Sequence, residues 1–234
     1  MSKLFEELDY RPTPIGALSL RRRFEPKTKQ QVFEIKLGEE FLMSSMFTAS
    51  EEALANLAID KLTEPNLDIV VGGLGLGYTA RAVLEHDNVS SLMVVDKLQA
   101  VIEWHETGLL PLGEELTGDE RCQFHLGDFF EMAMSQEGFG KAQDAILVDI
   151  DHSPQFFLDA ANQAFYQPEG LAKTARHIKP GGIFGLWSDE LPDDDFGDIL
   201  SQVFDSVWME PVTFYNPLQN RDFTQSVYLA QTKA

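Results

Sequence analysis

Five places in this sequence set glycine or acidic residues directly after a short apolar run, and these hold its potential for chemistry. The first is Gly72-Gly73-Leu74-Gly75-Leu76-Gly77, which follows Leu67, Ile69, Val70 and Val71. The others are Asp96, Asp128 (preceded by Gly127), Asp149-Ile150-Asp151-His152, and Asp189-Glu190. Glycines permit backbone angles that other residues resist and let a ligand approach the main chain. A helix opening behind them turns unpaired N–H groups toward electron-rich atoms. Asp96 follows Gly77 by 19 residues, the place of an acid that accepts from a ribose hydroxyl. The remaining carboxylates suit a cationic ligand, or a proton taken from an amine as it reacts. His152 titrates near neutrality and is a second group able to take that proton. Asp149, Asp151 and His152 look superficially like metal ligands, but nothing elsewhere in the sequence completes a set, and no metal is expected.

Positioning these groups requires alternating strands and helices, and the sequence supplies them. Strand Ile69–Val71 leads to helix Tyr78–Glu85, strand Leu92–Val95 to helix Gln99–Leu110, and strand Gln123–Leu126 to helix Phe129–Ser135. Strand Ala145–Val148 precedes a long connection and a helix over Pro168–His177. Lys179-Pro180-Gly181-Gly182 reads as a turn into strand Ile183–Trp187, followed by a helix over Phe196–Phe204. Val207–Met209 and Ser226–Ala230 have no helix between them and read as a closing hairpin, which makes the last strand antiparallel. The fold class is therefore α/β, a mostly parallel sheet with helices on both faces. In such sheets ligands bind beyond the carboxyl ends of the strands, where the five sites fall.

Ahead of this unit, LSLRRRF, QQVFEIKL and EEFLMSS read as β-strands, with a tight turn at Gly38, whereas the first fifteen residues show no period. Ser50 is the expected N-cap of a helix whose Leu54, Leu57, Ala58 and Leu62 share one face, and Pro65 ends it. The break at Glu64–Pro65 divides a small β-rich N-terminal piece with its linking helix (residues 1–64) from a nucleoside-binding unit (65–234). Edge strands in so small a piece call for cover, and a homodimer through this region is expected.

The 234 residues carry a formal net charge of −20, with 44% hydrophobic and 24% charged residues. Such acidity repels nucleic acid and attracts cationic small molecules. Arg21–Arg23, within so acidic a chain, read as a solvated or interface face rather than an anion site. No apolar run approaches membrane-spanning length, MSKLFEELDY lacks a secretory core, and the single cysteine, Cys122, reads as an inert thiol. A cytoplasmic location is expected.

Gly75, Gly77 and Ala80 satisfy a relaxed dinucleotide fingerprint, but no second nucleotide half or substrate domain accompanies them. The closing strand pair and the Gly-Asp after the third strand fit a nucleoside such as S-adenosylmethionine. VVGGLGLGYTARAVLEH, VVDKLQAVIEWH, GDFFEMA, DAILVDIDHSP and KPGGIFGLW resemble, in order and spacing, the aminopropyltransferase (spermidine synthase) family. The resemblance covers about Phe41 to Trp187. It implies the class I methyltransferase fold, with a seven-stranded mixed sheet, a small N-terminal β-domain and a dimer. It implies decarboxylated S-adenosylmethionine as co-substrate, or S-adenosylmethionine itself, with an amine as acceptor. By it, the turn at Gly73, Gly75 and Gly77 holds the methionine-derived part, Asp96 the ribose, and Asp128 the adenine amino group. Asp149 is then the acid at the reacting centre. In an aminopropyl transfer Asp151 is expected beside it in catalysis, and Asp151, His152, Asp189 and Glu190 are the groups expected to hold the cationic amine. The sequence departs from the family in three ways. Its glycine loop has no aspartate. Its acids after the fourth strand stand two apart rather than in an Asp-x-x-Asp pattern. SEEALANLAI replaces a region that carries a Tyr-His-Glu run. A methyltransferase and a catalytically silent nucleoside-binding or dimerisation module are the alternative expectations, and a nicotinamide oxidoreductase a more distant one.

Overall fold

The computed structural model describes residues 4–13 and 16–233; of the fifteen N-terminal residues read above, 1–3, 14 and 15 lie outside it. Two sheets organise the chain. A four-stranded antiparallel meander comprises β1 (Phe5–Thr13), β2 (Gly16–Glu25), β3 (Gln30–Leu37) and β4 (Glu40–Ser44). Helix α1 (Ala49–Ile59) then leads into the seven-stranded sheet: β5 (Leu67–Gly72), β6 (Val89–Asp96), β7 (Cys122–Leu126), β8 (Gln143–Val148), β9 (Ile178–Ser188), β10 (Ser206–Asn216) and β11 (Arg221–Gln231). Its order is β10-β11-β9-β8-β5-β6-β7, and β11, the last strand of the chain, runs antiparallel to both neighbours. The expected mixed sheet with an antiparallel last strand is what forms. The connecting helices are α2 (Tyr78–Leu84), α3 (Gln99–Glu106), α4 (Gly113–Gly118), α5 (Phe129–Met134), α6 (Pro168–Ala175) and α7 (Asp194–Ser201).

Strand periodicity sorts the central side chains onto two faces. Ile69, Val71, Ala145, Leu147, Val227 and Leu229 belong to one core, which continues through α1 to Leu18, Leu20 and Ile35 of the small sheet. Val70, Ile146, Val148, Tyr228 and Ala230 belong to the other, an aromatic layer with Phe129, Phe165, Phe184 and Phe196. The N-terminal sheet is thus joined to the body by shared apolar burial, which is the dominant stabilising term. Polar ties add orientation: Trp104 Nε1 donates to Asp9 Oδ2 at 2.7 Å, and Arg11 pairs with Glu103.

Several local expectations shift. β1 and α4 carry no clear sequence period yet form. The Lys179–Gly182 turn is a bulge within β9: Gln143 pairs with Ile178 but Ala145 with Ile183, and Gly181 takes φ +74°. Ser50 is not the N-cap; α1 starts two residues earlier than that cap implies, Thr48 holds the cap position, and Ser50 is buried inside the first turn. Arg22 and Arg23 are paired with acids of their own sheet, Glu6 at 2.6 Å for the first, Glu25 and Glu34 at 2.6 Å for the second. Cys122 sits in β7, where burial pushes its thiol up to about 12, which leaves no thiolate at neutral pH. Among the described residues no helix is long and apolar enough to cross a membrane.

Candidate functional site

The carboxyl ends of β5, β6 and β8 converge on one cleft of about 1040 Å³, counted to its open mouth. Ile35, Leu37, Leu42 and Met43 of the small sheet form an apolar wall, facing Asp96, Asp128 and Asp149.

The glycine turn is required where it lies. A side chain on Gly73 (φ +92°) would place Cβ 2.0 Å from the backbone oxygen of Asp149. At Gly75 (φ +47°) a Cβ would come within 2.5 Å of Met43 Sδ, and Leu76 N–H donates to that sulfur at 2.8 Å. The thioether therefore fills the space that a side chain at this point of the turn would occupy. Gly77 (φ +92°) does something else: it precedes α2 and packs against Leu116 and His105, away from the cleft lining.

Asp96 braces the turn. Its Oδ2 accepts from Leu74 N–H at 2.9 Å and its Oδ1 from Leu98 N–H at 2.8 Å. The Gly75 N–H bonds to the same carboxylate, which leaves it one lone pair for a ligand hydroxyl. Burial raises its pKa, opposed by those backbone N–H groups. Beneath the turn, His105 Nε2 lies 3.0 Å from the Gly75 carbonyl, which only accepts, so this nitrogen carries the hydrogen. Burial lowers its pKa and keeps the ring neutral. Asp128 caps α5, accepting from Phe130 N–H and Glu131 N–H, while still lining the cleft. Lys97, unremarked in the sequence, stands 3.6 Å from both Asp128 and Asp159 at the same rim.

Asp149 reaches the cleft from the end of β8, with Thr79 Oγ1 donating to its Oδ2 at 2.6 Å. Burial raises its carboxyl to about 6. Glu51 of α1 joins it there, and burial followed by the charge of Asp149 pushes it up to about 8. The sequence shows no amine-site group in SEEALANLAI, but the fold brings the Glu51 carboxylate of that segment to the cleft beside Asp149.

Asp151 does not join them. The chain bends at Ile150–His152, so the strand alternation that would align Asp151 with Asp149 stops at Val148. Its carboxylate is 2% exposed and accepts from Leu158 N–H at 2.7 Å, Asn162 Nδ2 at 3.0 Å and Tyr166 O–H at 2.8 Å. That network ties the loop after β8 to a short 3-10 turn, Ala160–Ala164, and Asp151 is absent from the cleft lining. His152 does line the cleft and also borders a shallower depression with Ser153, Phe156, Asp189 and Glu190. Asp189 and Glu190 are confined to that outer depression. Among the described residues no group of three His, Cys, Asp or Glu could hold a metal ion.

A glycine turn under a cleft, with an acid on each neighbouring strand end of a seven-stranded mixed sheet, places the chain in the methyltransferase-like class of α/β folds. Residues 47–192 match the family model described as the spermine/spermidine synthase domain, and the chain belongs to that family. A polyamine aminopropyltransferase of Pyrobaculum aerophilum is 26% identical over 147 residues, covering 62% of this chain and 49% of the relative. One of Prochlorococcus marinus is 28% identical over 138 residues, covering 59% and 46%. The chain thus spans about half the length of the curated relatives it matches. A crystal structure of spermidine synthase in complex with the transition-state analogue AdoDATO superposes with a TM-score of 0.74 at 18% identity, covering 96% of this chain and 73% of that one. The spermidine synthase of Thermotoga maritima gives 0.71 at 17% identity, covering 96% and 72%. These two likenesses establish the shared fold.

Proposed function

We propose that the chain is a transferase that moves an aminopropyl group from decarboxylated S-adenosylmethionine to an amine. The observation that carries this reading is Asp149, a half-buried carboxylate beside the glycine turn whose pKa is raised to about 6. In the reaction the amine nitrogen bonds to the carbon next to the sulfonium, and that carbon's bond to sulfur breaks. The electron pair stays on sulfur, leaving methylthioadenosine, and the nitrogen loses a proton. A free alkylamine is protonated at neutral pH, so the site must favour its neutral form. Asp149 accepts the proton, aided by a pKa lifted toward neutrality. Asp96 and Asp128 hold the ribose and the adenine amino group, with Gly73 and Gly75 admitting the ligand against the main chain. His152, Asp189 and Glu190 hold the far end of a cationic acceptor where the cleft meets the outer depression.

The test is a mass-spectrometric product assay with putrescine, cadaverine and spermidine offered alongside decarboxylated S-adenosylmethionine, repeated with S-adenosylmethionine. Asp149→Asn keeps shape but loses basicity, so nucleoside binding survives while turnover falls by roughly a hundredfold or more. A methyl gain in place of an aminopropyl gain would move the reading to a methyltransferase. Tight methylthioadenosine binding without modification of any amine would leave a silent nucleoside-binding module. We also infer a homodimer through the small sheet, since Leu4, Phe5, Tyr10, Phe24 and Phe41 expose large apolar side chains there. Light scattering at micromolar concentration that gives a monomer mass removes that inference.

A further inference from the structure

Around Ser50 Oγ there are more acceptors than protons. This oxygen lies 2.8 Å from Trp187 Nε1, 2.8 Å from Glu51 Oε2 and 2.5 Å from Gln225 Oε1. An indole N–H only donates, so Trp187 occupies one lone pair of the hydroxyl oxygen. At its other end the Gln225 amide stands 2.6 Å from Asp189 Oδ1, an acceptor in the outer depression. The NH₂ must face Asp189, which turns the amide oxygen toward Ser50. The single hydroxyl proton of Ser50 is then committed to Gln225, and the contact with Glu51 has a hydrogen only if Glu51 supplies it. Reversing the amide would free the Ser50 proton for Glu51, but would set two bare oxygens 2.6 Å apart at Asp189. The missing proton would then have to sit on a carboxylate in contact with water. Glu51 is 5% exposed, and burial favours the neutral form there.

The charged surroundings agree. Glu51 faces Asp149 from the end of β8, Glu52 on its own helix, and the hydroxyl of Tyr78 on α2. Arg81 of α2 is paired to Glu52 at 3.0 Å and to Glu85, while Asp189, just past the end of β9, reaches Glu51 through Gln225 and Ser50. His152 shares the cleft. Two ionised carboxylates behind an apolar wall repel each other, and retaining one proton relieves this.

We propose that Glu51 is the proton-carrying partner of Asp149: the pair holds one proton and one negative charge in the free protein, and a cationic substrate displaces that proton. The cleft then takes up one positive charge as the Glu51 O–H bond breaks and its proton passes to solvent, and the ionised Glu51 accepts a hydrogen bond from the ligand. The displacement rests on the transferase reading; the protonation does not. The test is infrared difference spectroscopy at pH 7, wild type minus Glu51→Gln, a variant that keeps an N–H donor for Ser50. The expected result is a protonated-carboxyl stretch in the free protein, unmoved by the neutral methylthioadenosine and lost when decarboxylated S-adenosylmethionine or putrescine is bound. In Asp149→Asn the same band should disappear at higher pH than neutrality but lower than in wild type, because the opposing charge is gone. No such band in the free protein overturns the proposal whatever the substrate is. A band that persists while calorimetry shows the cation bound overturns the displacement. A band present with neither cation bound upholds the proton on Glu51 and defeats the transferase reading together with the displacement.

Discussion

Asp151 offers the sharpest separation between a carboxylate that reacts and one that builds the site. Asp151→Ala would strip the acceptor from three donors: the half-buried Leu158 N–H and the buried Asn162 amide and Tyr166 hydroxyl. Asn162 and Tyr166 are 4% and 1% exposed, so water cannot readily replace the lost partner. Each stranded donor costs about 1–3 kcal/mol. Removing a buried carboxylate also relieves its own desolvation, the largest influence on its raised pKa. The net expectation is a destabilisation of about 3–5 kcal/mol. Asp151→Asn keeps an oxygen for Leu158 and presents an NH₂ to the Tyr166 oxygen, but meets the Asn162 amide donor to donor. It should lose about half as much. Urea unfolding gives both values, and hydrogen exchange over residues 150–166 should show the loop opening before the sheet. In the fraction that remains folded, methylthioadenosine affinity should stay near wild type. A variant with an unchanged urea midpoint but a hundredfold loss of turnover would refute this account and return Asp151 to the reacting centre.

Two further outcomes follow from the carboxylates of the cleft. Asp96→Ala removes the proposed charge-assisted ribose contact and the hydrogen bonds that brace Leu74 and Gly75 of the glycine turn, so calorimetry should show adenosine-containing ligands weakened by about 1.5–3 kcal/mol; unchanged affinity would move the ribose contact elsewhere. Glu51 has a folded pKa of about 8 against an ordinary value of 4.5, so above pH 4.5 the unfolded chain loses this proton while the folded one keeps it. Its contribution is complete below pH 4.5 and is lost as pH rises to about 8. Urea midpoints of Glu51→Gln should therefore match wild type near pH 5 and exceed it near pH 8.5; parallel curves would contradict the raised pKa.

The sequence made the central sheet legible because β5, β6, β8 and β9 are buried on both faces, which demands unbroken apolar runs such as IVV and AILV. β1 was hidden for the opposite reason: FEELDYRPT is exposed or half-exposed throughout, so no clean alternation marks it. Asp96, Asp128 and Asp149 could be placed because each closes or follows a strand, and sheet geometry fixes where strand ends point. That rule stops at the last extended residue, and Asp151, two positions after Asp149, lies beyond the bend. Gly77 shows a related ambiguity, since a positive φ is needed both for ligand approach and for close packing, and the same letter serves either. Glu51 is the deepest case. Nothing within its own helix separates it from Glu52, which turns outward to Arg81. Its protonation follows from Trp187, Gln225 and Asp149, residues on three other strands or their ends, and Ser50, which looked like a cap, is the atom through which two of them act. Local pattern reports which face of an element is buried; the charge state of a buried group is set by what the rest of the chain brings against that face.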